Sequence, residues 1–218
     1  IWTSTNGTAW TSRMSNYNES SANSCVLVSG LYIATGSNTY TSTNAVTWTL
    51  RTTGSPNPDN VSVSIGTVCL IINESGVRST SDGITWTYRV SASSIVGLTV
   101  QNGIAFAWAT TGVLYRSEDG LTWTTTTIQG LNENTTVFWV DSISQWVLIT
   151  GKTVRTSTDG MTWLFHSVGT QDSKFALSCE RKLLTITIAG ATSIIEGDAV
   201  GIKGEQQFNG LTAYMRIK

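Results

Sequence analysis

Arg78-Ser-Thr-Ser-Asp-Gly-Ile-Thr-Trp86 occurs, with small changes, five times in the chain. The other copies are Trp2-Thr-Ser-Thr-Asn-Gly-Thr-Ala-Trp10, Tyr40-Thr-Ser-Thr-Asn-Ala-Val-Thr-Trp48, Tyr115-Arg-Ser-Glu-Asp-Gly-Leu-Thr-Trp123 and Arg155-Thr-Ser-Thr-Asp-Gly-Met-Thr-Trp163. They align without gaps, and the final Trp recurs at spacings of 38, 38, 37 and 40 residues. A fixed period of this size marks a repeat architecture, in which each unit is one supersecondary element. Extended from Asp159, the period reaches Ile194-Ile-Glu-Gly-Asp198, which keeps the acid and loses the Trp, a decayed sixth unit.

Each position of the consensus S-x-[DN]-G-x-T-W has a physical task. The Asp or Asn side chain (Asn6, Asn44, Asp82, Asp119, Asp159) accepts backbone N–H bonds across a tight turn. The Gly beside it permits a positive φ. Alternating Thr and Trp then resume an extended strand, with the Trp on the buried face. Trp10, Trp48, Trp86, Trp123 and Trp163 are thus read as structural anchors. Ala45 replaces Gly in the second box and Ala9 replaces Thr in the first, which predicts less regular turns there.

Two strand-like runs precede each box from the second onward. They are Cys25-Val-Leu-Val-Ser with Leu31-Tyr-Ile-Ala-Thr, Val61-Ser-Val-Ser-Ile with Thr67-Val-Cys-Leu-Ile-Ile, and Ile95-Val-Gly-Leu-Thr-Val with Ile104-Ala-Phe-Ala-Trp-Ala. The fifth unit has Thr136-Val-Phe-Trp-Val and Gln145-Trp-Val-Leu-Ile, and the sixth has Lys174-Phe-Ala-Leu-Ser and Leu183-Leu-Thr-Ile-Thr-Ile. Asn102-Gly103 is a strong hairpin signal. Each unit reads strand A, turn, strand B, loop, strand C, box, strand D, with no useful helical periodicity. Four antiparallel strands per unit, repeated about an axis, make an all-β propeller.

The boxes resemble the Asp-box, or BNR repeat, S-x-D-x-G-x-T-W, but lack one residue between Asp and Gly. In this compact form they are similar to propeller repeats of phage and viral tail or fibre proteins and of bacterial surface proteins, and distantly to the sialidase-type propeller. The resemblance implies that the box lies at the C–D turn, on the face opposite the usual binding site. It also implies that Asp82, Asp119 and Asp159 are structural.

Residues 1–13 supply only strands C and D, and Leu211-Thr-Ala-Tyr-Met-Arg-Ile-Lys218 supplies about one strand. The expected arrangement is a single domain over 1–218. Its six blades are closed by pairing of the N- and C-terminal strands, with 1–13 and 205–218 in the closing blade. The alternative is five blades with 191–218 appended.

Charged residues are 12% of the 218, while Ser and Thr together number 62. A net charge of −1 argues against a broadly basic nucleic-acid or membrane-surface protein. No apolar run approaches the roughly 18 residues of a membrane span. A surface kept soluble by hydroxyls and Asn suits the extracellular space or a virion. Cys25, Cys69 and Cys179 are odd in number and widely spaced, which reads as buried thiols rather than a disulfide framework. The chain starts at Ile1 with neither Met nor a signal-peptide pattern, which reads as a processed product or a fragment.

Catalytic chemistry finds little foothold. The sialidase pattern wants an Arg-Ile-Pro motif, absent here, where the only prolines are Pro56 and Pro58. Arg13, Arg51 and Arg89 each lie three residues after a box Trp, with Thr126 and His166 in the same column. A cation that repeats with the structural period suits a blade-to-blade hydrogen bond better than a substrate clamp. His166 is the sole histidine, no zinc spacing appears and no phosphate loop is present. The expectation is a non-enzyme with no catalytic residues, metal or cofactor. Binding is the better reading, through the D-to-A and B-to-C loops. The individual loop residues Tyr17, Glu19, Asp59, Asn60, Glu133 and Asn134 suit sugar hydroxyls and apolar sugar faces. Expected partners are a cell-surface glycan or receptor and other virion or fibre subunits. A purely architectural spacer is the alternative, and a sialidase-like exo-glycosidase a more distant one. Trp108, Trp139 and Trp146 lie outside the boxes and read as core.

Overall fold

The computed structural model describes residues 1–13, 22–53, 61–73, 75–141, 143–151, 153–167, 175–180, 183–188 and 191–196. Among them no helix occurs. A hairpin of β1 (Trp2–Thr3) and β2 (Thr11–Ser12) comes first. The next antiparallel sheet is β3 (Ala22–Val28), β4 (Leu31–Gly36), β5 (Asn38–Ser42) and β6 (Thr49–Thr53). It is followed by β7 (Ser62–Ile65), β8 (Val68–Asn73), β9 (Gly76–Thr80) and β10 (Thr87–Ser91). Then come β11 (Ile95–Gln101), β12 (Ile104–Ala109), β13 (Val113–Ser117) and β14 (Thr124–Thr127). The fifth sheet holds β15 (Thr136–Val140), β16 (Gln145–Thr150), β17 (Thr153–Ser157) and β18 (Leu164–Ser167). The last is β19 (Phe175–Glu180), β20 (Leu183–Ile188) and β21 (Ala191–Glu196).

These are the sequence-predicted A-B-C-D meanders, with every full box between strands C and D. Up-and-down order puts the boxes and A–B turns at one end of each sheet, and the B–C and D–A loops at the other. At Asn102-Gly103 both residues have positive φ, 46° and 71°, as a two-residue hairpin requires.

The chain divides into two compact units, Ile1–Glu133 and Asn134–Lys218. In the first unit the A strands are neighbours, with β7 against both β3 and β11. Ser24 and Ser62, one repeat apart, tie two of them together. The Ser62 hydroxyl and N–H both donate to Ser24 Oγ, at 2.6 and 3.2 Å.

Strand β8 shows how the sheets stack. All six of its residues are buried. Val68, Leu70 and Ile72 point to one side and pack with Ile95, Leu98, Ala105, Ala107 and Ala109 of the next sheet. Cys69 and Ile71 point to the other side and pack with Val28 and Ile33 of the sheet before. Period-two alternation thus fills two different seams. Each fully buried branched side chain contributes about 1.5–3 kcal/mol.

In the second unit, Val140, Val147, Ile149 and Val154 form the core. Trp146, on the other side of β16 from Val147 and Ile149, is buried as well, edge-on to Trp139 at 5.2 Å. Trp108 of the first unit is buried over Gly97, where any Cβ would lie 2.0 Å from its ring. Trp108 and Trp146 are core as expected. Trp139 is only half-buried, and its Nε1 donates to Asp141 Oδ1 at 2.8 Å.

The cysteine expectation needs correction. Cys69 is buried, and burial, aided by nearby Cys25, pushes its thiol up to about 12. Cys25 is exposed, because it lies on the face of β3 opposite Val26 and Val28, where Leu27 is exposed too. The side chain of Cys179 lies outside the described residues.

Candidate functional site

The five boxes share one turn. Oδ1 of Asn6, Asn44, Asp82, Asp119 and Asp159 accepts the N–H groups two and three residues on, at 2.7–3.0 Å. A hydroxyl two residues earlier, from Ser4, Ser42, Thr80, Ser117 or Ser157, donates to the same oxygen at 2.9–3.1 Å. In four boxes that hydroxyl also accepts the Gly N–H, at 2.8–2.9 Å. The sequence signal for this hydroxyl is the first letter of the consensus. Of the two turns expected to be less regular, the second departs from the others in one bond, that from the Ala45 N–H to the hydroxyl, and the first does not. The Asn bonds are the same, and Ala45 takes the positive φ, 57°, that Gly takes elsewhere.

These bonds set the acids' chemistry. Backbone N–H donors favour the ionised form. They hold Asp82 and Asp119 below the usual carboxylate range and Asp159 at about 2. A carboxylate so held is a fixed acceptor, poorly suited to deliver or take a proton near neutral pH.

The box Trp residues depart from the buried-face expectation. Trp48, Trp86, Trp123 and Trp163 are half-buried and Trp10 is 57% exposed. In the third and fourth boxes the indole lies along the seam between sheets rather than inside one. Trp86 packs against the cluster of Val28, Ile33, Cys69 and Ile71, and Trp123 against that of Ile65, Leu70 and Ala105. In three boxes its Nε1 donates to the carbonyl three residues back at 3.2 Å. In the third and fourth boxes the Gly is pressed into the same seam. A Cβ on Gly83 would sit 2.5 Å from Thr41 Cγ2, and one on Gly120 2.6 Å from Ile65 Cγ2.

The cation column also differs in detail. Nε of Arg13, Arg51 and Arg89 donates to Thr3, Thr41 and Ser79 at 2.6–2.8 Å, and His166 meets Thr156 at 2.9 Å. Every partner is on strand C of the same sheet, so the bond is within a blade, not between blades. The reason is register: Thr41 of β5 pairs with Thr49, two residues before Arg51 on β6, so the two side chains share a side of the sheet. In the fourth sheet the two residues are exchanged, Arg116 on strand C and Thr126 on strand D.

At the opposite end lie the loops. Tyr17, Glu19, Asp59 and Asn60 are outside the described residues. Glu133, which ends the first unit, and Asn134, which begins the second, are exposed. In the first unit this loop is anchored by buried Ile128 and Leu131, by the Ile128 N–H donating to Gly112 O at 2.7 Å, and by Trp108 Nε1 donating to Asn132 O at 3.2 Å. The sequence reading missed these anchors, although apolar residues inside a polar loop are a usable signal. Among the described residues no group of three His, Cys, Asp or Glu gathers as a metal site would require.

The chain is similar to the solved structure "YCF48 bound to D1 peptide", with a TM-score of 0.58 and 15% identity over 87% of this chain and 69% of that one. The fold is a β-propeller. The propeller is also similar to PorZ, described as an essential bacterial surface component of the type-IX secretion system of Porphyromonas gingivalis. That match has a TM-score of 0.53 and 12% identity, and covers 87% of this chain but only 28% of PorZ. At such identities the likeness concerns the fold alone. No protein-family model and no curated protein matches the chain.

Proposed function

We propose that this propeller is a non-catalytic binding domain that recognises a partner through its D-to-A and B-to-C loops. The observation that carries the reading is the commitment of the box acids. Asp82, Asp119 and Asp159 are each spent on two backbone N–H groups, at the end of the sheets away from those loops. The repeated residues hold blades, and the residues free for recognition are the unrepeated ones. Support for a protein partner comes from the YCF48 structure, solved with a bound peptide. The compact boxes favour an Asp-box subtype, and the composition favours a virion, phage-fibre or cell-surface setting with a glycan or receptor as ligand. Neither nucleic acid nor membrane insertion is part of this reading, and no cofactor is required. Blade number is proposed as six, with five the alternative.

The test replaces Tyr17, Asp59, Asn60, Glu133 and Asn134 with Ala and measures attachment to a glycan array and to cells. Attachment lost with an unchanged melting curve supports the loop face. Attachment that survives this change but fails on substitution of exposed box residues Val46, Ile84 and Leu121 puts recognition at the other end. If no partner is found for the unaltered protein, the architectural spacer is the better reading. Hydrolysis of a sialoside that is lost in Arg51→Ala would replace both with an exo-glycosidase.

A further inference from the structure

In an Asn-Gly pair the asparagine side chain can react with its own backbone, because glycine, without a Cβ, leaves its amide nitrogen open to the Asn Cγ. The chain has three such pairs, Asn6-Gly7, Asn102-Gly103 and Asn209-Gly210, the last outside the described residues. The first two are alike in access. Both asparagines and both glycines are exposed, the glycines have positive φ, 74° and 71°, and nothing lies within 4 Å of a Cβ on either. They differ in what the reacting atoms are bonded to.

In the box both reacting groups are engaged. Asn6 Oδ1 accepts the Thr8 and Ala9 N–H groups at 3.0 and 2.9 Å and the Ser4 hydroxyl at 3.1 Å. The Gly7 N–H donates to Ser4 Oγ at 2.8 Å. Three donors pin the carbonyl that would be attacked, and the attacking nitrogen is held by Ser4. Closing a ring from Gly7 N to Asn6 Cγ gives up all four bonds. The hairpin has no such lock. Gln101 pairs with Ile104 across β11 and β12, which leaves Asn102 and Gly103 as loop residues outside the ladder. Among the described residues the Asn102 side chain and the Gly103 N–H have no hydrogen-bond partner.

We propose that Asn102 is a site of spontaneous covalent modification, and that the box protects Asn6 from the same reaction. The Gly103 amide loses its proton to hydroxide and forms an N–Cγ bond to Asn102. The Cγ–Nδ2 bond breaks, and Nδ2 leaves as ammonia with a proton from water. Water then opens the five-membered imide. Opening at Cγ gives aspartate at position 102. Opening at the Cα carbonyl gives isoaspartate, with the main chain running through the former side chain. The net change is amide plus water to carboxylate plus ammonium, with nothing oxidised or reduced. Isoaspartate lengthens a loop whose two residues both hold positive φ, and it puts a negative charge at the box end of the sheet. The hairpin so altered carries Leu98, Ala105 and Ala107, which pack in one cluster with Leu70 and Ile72. This site lies at the end of the sheet away from the loops proposed above and does not rest on that reading.

The test holds the folded full chain at mildly alkaline pH in heavy-oxygen water. Trypsin then releases residues 1–13 and 90–116, each with a single asparagine, and electron-transfer fragmentation separates isoaspartyl from aspartyl forms. Synthetic copies of the two peptides should convert at similar rates. In the folded chain, 90–116 should gain labelled isoaspartate and aspartate at least about tenfold faster than 1–13, the ratio expected if even two of the bonds at Asn6 must break first. Ser4→Ala removes a donor to Oδ1 and the acceptor of the Gly7 N–H. It should speed conversion at Asn6 at least about threefold and leave Asn102 unchanged. Thr5→Ala, an exposed neighbour outside the four bonds, should alter neither rate. No isoaspartate in 90–116 after its synthetic copy has converted overturns the proposal. So does conversion at Asn6 as fast as at Asn102, or a rate at Asn6 that Ser4→Ala leaves unchanged.

Discussion

The first box and the fourth make the same turn in different surroundings. Asn6 and Asp119 each accept two N–H bonds of nearly equal length. Around them everything differs. Nothing lies within 4 Å of a Cβ on Gly7, while one on Gly120 would meet Ile65, Val68 and Leu70 at 2.6–3.3 Å. Trp10 is exposed and Trp123 is held in a seam. The box is therefore two devices in one stretch of sequence. One is a self-sufficient turn, and the other is a bracket that works only when a neighbouring sheet is present.

Substitutions at paired positions separate the two. The largest gap should be between Gly120→Ala and Gly7→Ala. The first combines a left-handed φ with overpacking and should cost about 3–4 kcal/mol, against about 1 kcal/mol for the second, where only φ is at stake. Urea melts of both variants measure it, and equal costs would mean that the seam yields. Next, Trp123→Ala should cost about 2–3 kcal/mol and Trp10→Ala under about 0.5 kcal/mol, in the same melts.

The turn half of the device is tested by pH. Asp159 has its carboxyl lowered from 3.8 to about 2, and Asp119 is lowered too. A folded pKa below the unfolded one contributes stability that is complete above about pH 4 and is lost as pH falls through the folded value. Stability should thus decline between about pH 4 and 2. Asp119→Asn with Asp159→Asn should flatten that decline while costing under about 0.5 kcal/mol at pH 7, because Asn6 and Asn44 already make the same bonds. A decline that is unchanged in the double variant would place the acid sensitivity elsewhere. The smallest effect concerns Ala45, with φ at 57°. Ala45→Gly should stabilise by about 0.5–1 kcal/mol in a thermal or urea melt.

The strands were legible because their signals are local. The period located every box, and the runs at Val61, Ile95 and Thr136 became strands A within a residue or so. Burial was less legible for a physical reason. Alternation tells which side of a strand a residue takes, not what covers that side. Cys25 and Cys69 both sit in apolar β runs, yet one faces a packed sheet and the other does not. The same gap in knowledge made Trp10 look like Trp123. The Arg column was readable as structural, but its partner depends on cross-strand register, which places Thr41 and Ser79 within reach of Arg51 and Arg89. The candidate site was least legible. Loop residues such as Glu133 and Asn134 obey no period, so composition suggested their role and geometry shows only that they are exposed.

The two-sided strand β8 has an evolutionary corollary. A chain that grew by copying a stretch of about 38 residues inherits, in each copy, both halves of a joint. Odd and even positions of strand B then answer to different neighbours. A change at Leu70 is corrected by the unit that follows, and a change at Ile71 by the unit that precedes. Drift along one strand should therefore leave two interleaved records, one shared with each flanking copy. A whole unit could be gained or lost between such joints without either record becoming unreadable.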